Sequence, residues 1–227
     1  MNSIDVINKI LSHNPCIEAL SFHEYSHSMM IQEGIENWHT EEQGMFEYAL
    51  ALKKRNGTPF WNGIMLSTFD NPNYSKEILR QALRHNPITN LVYIPRDRVF
   101  SSPKSSYALC SKVKIKNSAE EFHLPLIDFH IPPSNLNQQV VSDVCKYLDV
   151  GPGWILNSGE SYHFIGANPV AWEDLNNALC RAIVYSPIVD AIWISHQLRE
   201  KSCSLRIGEK NGFVPEVVMQ VDVISPS

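Results

Sequence analysis

The chain has 227 residues, of which 44% are hydrophobic and 19% are charged, and its formal net charge is −5. This composition excludes a disordered chain and allows one large domain or two small lobes, and the acidic balance argues against broad, non-specific adhesion to nucleic acid. Because no apolar run approaches the roughly 20 residues of a membrane span and no signal peptide is visible, we expect a cytoplasmic protein without a membrane partner.

The first 100 residues are predicted to alternate helices and strands. Ser3 can cap a helix whose isoleucines share one face, and residues 40–55 form a second helix that Asn56 and Gly57 end. Residues 60–69 (FWNGIMLSTF) are predicted as a strand, residues 75–85 as a short helix, and residues 89–94 as a buried strand. The polar segment 95–108 contains two prolines and is the best candidate for a junction between lobes or for a mobile loop.

The second half is predicted to carry most of the strands. Ser134 begins one helix, Asn168 and Pro169 open another, and residues 190–199 form a third. The predicted strands are CSKVKIKN, FHLPLIDFHI, GWILNSG, SYHFIGA, SCSLRI and EVVMQVDVI. The pattern indicates an α/β or α+β fold with mixed sheets and flanking helices, divided into portions 1–100 and 101–227.

The strand LPLIDFHIP contains the first group of candidate site residues. Side chains two apart on a strand point the same way, so Asp128 and His130 share one face. A carboxylate favours magnesium or manganese, and a histidine shifts the preference toward manganese or zinc. The alternative is a strand-end aspartate at a turn beside a surface histidine.

The segment NSGESYHFIG combines a turn with two polar side chains on alternate residues. Ser161 and His163 fall on one face, and Gly159 allows backbone N–H groups to approach a ligand closely. These parts are typical of phosphate binding. An ordinary hairpin with a polar face is the competing interpretation.

The third segment is VDAIWISHQLREKSCSLRIGEK. Asp190 opens its helix, and Arg206 lies on a strand between Leu205 and Ile207, where an arginine requires an anionic partner. A triphosphate is one candidate partner, and a structural salt bridge with Asp190 or Asp128 is the other. His196 and Arg199 lie three apart on one helical face.

These three segments, in this order, resemble the archaeo-eukaryotic primase superfamily, and more closely small bacterial primase-like proteins. The resemblance rests on SGESYHFIG and VDAIWISHQL…SLR and covers roughly residues 120–220. It implies a primase-like catalytic core in which Asp128, His130 and Asp190 form the catalytic metal site. It also implies that Ser158 and His163 contact a nucleoside triphosphate with support from Arg206, and we include Ser161 and His196 as further nucleotide-binding candidates.

The resemblance implies a nucleotidyltransferase of DNA replication that uses Mg²⁺ or Mn²⁺. Its partners would be nucleoside triphosphates, a nucleic-acid template or primer, and a helicase or another protein. One departure matters, because His130 stands where the family supplies a second acid. A site with fewer carboxylates neutralises less metal charge, so a catalytically inactive binding module is an alternative function.

A separate alternative comes from residues 23–27, HEYSH, which fit the H-E-x-x-H pattern of zinc proteases. On a helix, His23 and His27 would lie one turn apart and bind zinc, with Glu24 as general base. Glu47 or His39 could supply a third ligand.

Overall fold

A computed structural model of the chain describes residues 1–24, 40–58, 60–67, 91–102 and 107–222. The chain divides into two compact units, one formed by Met1–Tyr25 with Ile88–Ser227 and the other by Ser26–Pro87. The predicted division at residue 100 separates an N-terminal portion from a catalytic portion. It is a division by function, not by compactness, and it stays a prediction. No helix of the described residues has the length and apolar character needed to cross a membrane.

The described residues form six α-helices. They are α1 (Ser3–His13), α2 (Thr40–Asn56), α3 (Phe60–Ser67), α4 (Asn135–Leu148), α5 (Trp172–Ala182) and α6 (Ala191–Glu200). Caps define several of their beginnings: Asn2 forms a capping box with Asp5 on α1, and the hydroxyl of Ser134 accepts from the N–H of Asn137 on α4.

Within the described ranges, ten strands form two antiparallel sheets. They are β1 (Ile17–Glu24), β2 (Leu91–Pro95), β3 (Tyr107–Ile115), β4 (Phe122–His123), β5 (Leu126–Asp128), β6 (Gly153–Asn157), β7 (Tyr162–Gly166), β8 (Val170–Ala171), β9 (Ser204–Arg206) and β10 (Glu216–Val221). The first sheet has the order β2-β1-β3-β4-β8, with β9 also paired to β3, and the second has the order β10-β6-β7-β5. The predicted α+β class is therefore confirmed.

The chain passes from one sheet to the other within the segment predicted as a single strand, FHLPLIDFHI. Strand β4 pairs with β3 in the first sheet, whereas β5 pairs with β7 in the second. The two residues between them, Leu124 and Pro125, make this crossing, and Leu124 is fully buried. One large core unites both sheets with α1, α4 and α5, and its most buried aromatic residues include Phe22, Phe129 and Phe164.

The smaller unit lies, along the chain, between β1 and β2, which are hydrogen-bonded neighbours. Its described part consists of α2 and α3, which share a small core of Met45, Ala49 and Ile64. Gly63 is required at their contact, because a Cβ there would lie 2.8 Å from the Cα of Ala49.

Two further predictions of local structure need correction, and a third is not tested. Residues 60–67 are a helix rather than a strand, since an apolar run of this length does not distinguish the two. Helix α5 begins at Trp172 after the short strand β8, so Asn168 and Pro169 do not cap it. The helix predicted at 75–85 lies outside the described residues.

Candidate active site

Asp128 lies in the middle of a row of three polar residues on neighbouring strand segments. On one side, Asp128 is the cross-strand partner of His163 in β7. On the other side, Phe129 bridges Val189 in antiparallel register and the N–H of His130 donates to the carbonyl of Ile188. The same register places Asp190 opposite Asp128, and cross-strand partners project to the same face. The row therefore runs His163, Asp128, Asp190.

Side-chain distances agree with this row. Nε2 of His163 lies 3.5 Å from Oδ1 of Asp128, and Nδ1 of His130 lies 3.4 Å from Oδ2 of Asp190. The other oxygen of Asp190 caps α6, because Oδ1 accepts from the N–H groups of Ile192 and Trp193 at 2.8 and 3.1 Å. One carboxylate oxygen of Asp190 is thus fixed by the helix, and the second faces the site.

Burial shifts the pKa values of Asp128 and His163 in opposite directions. It raises the pKa of Asp128 to about 7, with a further increase from the negative charge of Asp190 and opposing effects from Arg206 and Lys210. Burial also lowers the pKa of His163 to about 3, and Arg206 and Lys210 lower it further. His163 is therefore neutral at physiological pH, and no described residue hydrogen-bonds its buried Nδ1.

The 158–161 turn joins β6 to β7 directly beside this row. The N–H of Ser158 donates to the carbonyl of Ser161 at 2.9 Å, and the two hydroxyl oxygens lie 3.2 Å apart. Gly159 has a φ of +101°, and its N–H donates to the side chain of Asn157. The turn therefore holds the hydroxyls of Ser158 and Ser161 next to each other, and Ser161 lies two residues before His163.

Arg206 binds backbone carbonyl groups from two loops. Its guanidinium donates to Ser158 O at 2.6 Å, to Phe213 O at 3.2 Å and to Gly208 O. The prediction from sequence considered a phosphate or an acidic side chain as its partner. The carbonyl groups add a structural role, since they join the 158–161 turn to the loop that follows β9.

Residues 96–219, more than half of the chain, match the AEP-like family, described as archaeo-eukaryotic primase 1D-like. The chain belongs to this archaeo-eukaryotic primase family. No curated protein and no solved structure matches the chain. At a coarse level, the family supports a primase-like nucleotidyltransferase, a class that generally uses divalent metals.

The matched region of this primase-like chain contains every predicted site residue, from Asp128 to Arg206. The structure brings Asp128, His130, His163 and Asp190 together, with the 158–161 turn next to them. His196 is half-buried on α6, six residues after Asp190, which corresponds to roughly 9 Å along the helix axis. Its role toward a nucleotide stays a prediction.

The sequence analysis assigned no role to Lys210, the last residue of its third segment, or to the 208–213 loop. Lys210 and Phe213 exchange two backbone hydrogen bonds of 3.0 Å across Asn211 and Gly212. Both central residues have positive φ, 54° and 79°, as a type I′ hairpin turn requires. The Asn-Gly pair was the available signal, but only the fold shows that this turn lies at the site.

The zinc-protease alternative fails on local structure. His23 and Glu24 are the last two residues of strand β1, paired with β2 and β3, and are not part of a helix. Consecutive side chains on a strand point to opposite faces, so these two residues do not form the predicted site. Glu47 is exposed on α2, whereas His27 and His39 lie outside the described residues.

The donor atoms of this row fit the divalent cation that the family implies only as an open site. Within the part of the chain that the structure describes, no group of three or more His, Cys, Asp or Glu side chains is arranged as a ready metal site. Asp128 and Asp190 nevertheless offer two carboxylates in one row, and the pKa of Asp128 is raised first by burial and then by the negative charge of Asp190, which a cation between them would oppose. Mg²⁺ usually keeps several waters and needs only one or two protein carboxylates, so the residues fit an open site.

Proposed function

We propose that the chain is a primase-polymerase-like nucleotidyltransferase that binds a nucleoside triphosphate with Mg²⁺ or Mn²⁺ and acts on nucleic acid. The observation that carries the proposal is the row of His163, Asp128 and Asp190 beside the 158–161 turn. Two carboxylates, a neutral imidazole and adjacent hydroxyl groups are the parts that a metal-bound triphosphate requires.

The residues have distinct roles in this proposal. Asp128 and Asp190 would hold the cation, and Asp190 is oriented for this by its cap on α6. A divalent cation at this position supplies charge neutralisation of the triphosphate and of the pyrophosphate that leaves. His163 stays neutral, so it can donate one hydrogen bond to a phosphate oxygen without a protonation step. The hydroxyls of Ser158 and Ser161 can donate to the same group.

His130 differs in its chemistry from the other members of the catalytic set. It faces Asp190 rather than adding a third carboxylate to the row. An imidazole is a softer ligand than a carboxylate and favours Mn²⁺ over Mg²⁺. We therefore expect activity with Mn²⁺ to exceed activity with Mg²⁺.

Primer synthesis and primer extension with each metal test the proposal. The wild-type protein is expected to incorporate nucleotides, and Asp128→Ala is expected to abolish incorporation. Absence of incorporation with both metals and with DNA or RNA templates would refute the enzymatic function.

A binding module is the second candidate function, and the substitution of an acid by His130 favours it. In that case the wild-type protein would bind a triphosphate or an oligonucleotide in a titration yet incorporate nothing. Binding that is lost in Asp128→Ala, without incorporation by the wild type, would select this alternative.

A further inference from the structure

The 208–213 loop is fixed at its base and at its tip by different contacts. At its base, the buried hydroxyl of Ser3 donates to the carbonyl of Ile207 at 2.6 Å. At its tip, the type I′ turn pairs Lys210 with Phe213. A six-residue loop held in this way has little backbone freedom, so the fold sets the position of the Lys210 backbone.

The loop is also joined to the 158–161 turn by two independent contacts. The Arg206 guanidinium donates to Phe213 O on one side and to Ser158 O on the other. The side chain of Phe213 packs against Gly159, where an added Cβ would lie 3.2–3.3 Å from Phe213 atoms. The turn that carries the two serine hydroxyls and the loop that carries Lys210 therefore form one assembly.

Charge effects agree with this placement. Burial has the largest effect on the pKa values of Asp128 and His163. The positive charges of Arg206 and Lys210 lower both of these pKa values. Lys210 itself is exposed, so its ammonium group is accessible to a ligand. The N–H groups by which Arg206 binds three carbonyls are in contrast already used within the protein.

We propose that Lys210, presented by the 208–213 loop, is a direct contact for the phosphate groups of the anionic substrate, and that Arg206 is its positioning residue. This inference rests on the proposed function, because it assigns a residue of the same site. It changes the role expected for Arg206 from a support of the triphosphate to a residue that holds the 158–161 turn and the 208–213 loop together. Phosphate oxyanions occur both in a nucleoside triphosphate and in a nucleic-acid backbone, so the test must distinguish these sources.

The first experiment measures binding by full-length variants. The four ribonucleoside triphosphates with Mn²⁺ are titrated by calorimetry, and a fluorescent single-stranded DNA oligonucleotide is titrated by anisotropy. Lys210→Met is expected to weaken binding roughly five- to twentyfold in one arm, and the affected arm identifies the phosphate source. Lys210→Arg is expected to retain most of the affinity, because it keeps the charge.

Lys116→Met is the matched control. Lys116 is also exposed and follows the far end of β3, eight residues from Ala108, which pairs with Arg206. That separation corresponds to roughly 26 Å along the strand. The control removes the same charge and should leave both affinities unchanged. An equal loss in Lys116→Met and Lys210→Met would mean that only net charge matters and would overturn the inference.

A double-mutant cycle tests the role of Arg206. Lysine cannot bind several carbonyls as a planar fork, so Arg206→Lys is expected to weaken binding as much as Lys210→Met does. If Arg206 acts through Lys210, then Arg206→Lys should add little further loss in the Lys210→Met background. Additive losses would assign Arg206 its own ligand contact and overturn its positioning role.

The outcomes separate this inference from the proposed function. If the wild-type protein binds a triphosphate or the oligonucleotide and Lys210→Met binds both as tightly, the inference alone is wrong. If the wild-type protein binds neither ligand, the proposed function and the inference fail together.

Discussion

Nδ1 of His130 lies 3.4 Å from Oδ2 of Asp190. The resemblance to primases implies an acidic residue at position 130, so this contact replaces what would otherwise be a carboxylate facing a carboxylate. The imidazole can donate a hydrogen bond to Asp190, and a second acid at that position would repel it. The histidine thus reduces the negative charge of the site and with it the demand for a strongly bound cation.

His130→Asp is expected to increase Mg²⁺ affinity and to shift the metal preference from Mn²⁺ toward Mg²⁺, because carboxylate oxygens suit the harder ion. Calorimetric titration with both metals measures this change. His130→Asn, which supplies no charge, is the control. Unchanged Mg²⁺ affinity in His130→Asp would show that position 130 lies outside the metal environment.

Two substitutions of Asp190 are expected to distinguish its role as the N-cap of α6 from its role as a metal ligand in the row. Asn is also a good N-cap, so Asp190→Asn should retain the stability of α6, whereas Asp190→Ala should lose about 1 kcal/mol. Both variants should lose metal-dependent nucleotide incorporation. Thermal unfolding and extension assays measure the two effects, and full activity in Asp190→Asn would exclude the carboxylate as a ligand.

Asp128 is expected to make the metal-free protein less stable as the pH rises. Its folded pKa of about 7 lies above the ordinary value of 3.8, so between those two values the folded state holds a proton that the unfolded chain releases. This contribution to stability is present below pH 3.8 and is lost as the pH rises through 7. Asp128→Asn should therefore be more stable than the wild type at pH 8, by on the order of 2 kcal/mol.

His163 gives the opposite dependence, since its folded pKa of about 3 lies below 6.5 and its contribution is lost as the pH falls. Both proteins contain His163, so its effect largely cancels in the difference in Tm between Asp128→Asn and the wild type. This difference is measured from pH 5 to pH 8. Saturating Mn²⁺ should reverse the difference by stabilising the wild type alone. A difference in Tm that does not vary with pH would contradict the raised pKa.

Gly159→Ala is expected to disturb the 158–161 turn. A non-glycine residue is strained at a φ of +101°, and the added Cβ would press on Phe213. We expect a loss of roughly 1–2 kcal/mol of stability and weaker nucleotide binding. Gly151→Ala provides the control, since its φ is also positive, at +78°, but no atom lies within 4 Å of its Cβ. A loss of binding in both variants would indicate general destabilisation.

Tyr162 connects β7 to the beginning of α4. Its hydroxyl accepts from the N–H of Ser134 at 2.8 Å and donates to the carbonyl of Ser134 at 2.9 Å. The ring is 2% exposed, but Ser134 is exposed and its carbonyl also accepts from the N–H of Gln138, so Tyr162→Phe should cost only about 0.5–1.5 kcal/mol for the two lost hydrogen bonds. Tyr147→Phe on the exposed face of α4 should cost almost nothing. Equal Tm values for both variants would contradict this account.

The sequence predicted most of the second sheet and singled out several residues that the structure brings close together. The alternation in GWILNSG and SYHFIGA, with a serine-glycine turn between them, predicted β6 and β7, and Asp190 opens its helix as expected. These features depend on local periodicity and capping, which a short segment encodes by itself. The placement of Asp128, His163 and Asp190 in one row required the order of the strands, which no single segment contains.

Other features depended on tertiary contacts. The single strand expected at 122–131 is divided between two sheets, because Leu124 and Pro125 take the chain across the core. The partners of Arg206 could not be inferred from residue types, since they are backbone carbonyl groups that any sequence provides. Periodicity over 60–67 was also insufficient, because a helix packed against another helix can be as apolar as a buried strand.

Strands β1 and β2 remain paired up to His23 and Leu91, a few residues outside the smaller unit Ser26–Pro87. Partner Cα atoms in an antiparallel pair lie about 5 Å apart, so a tight hairpin could close this gap. The smaller unit therefore occupies a natural point of domain insertion. Evolution or an engineer could exchange it for another module while the sheet that contains β1 and β2 keeps its hydrogen bonds.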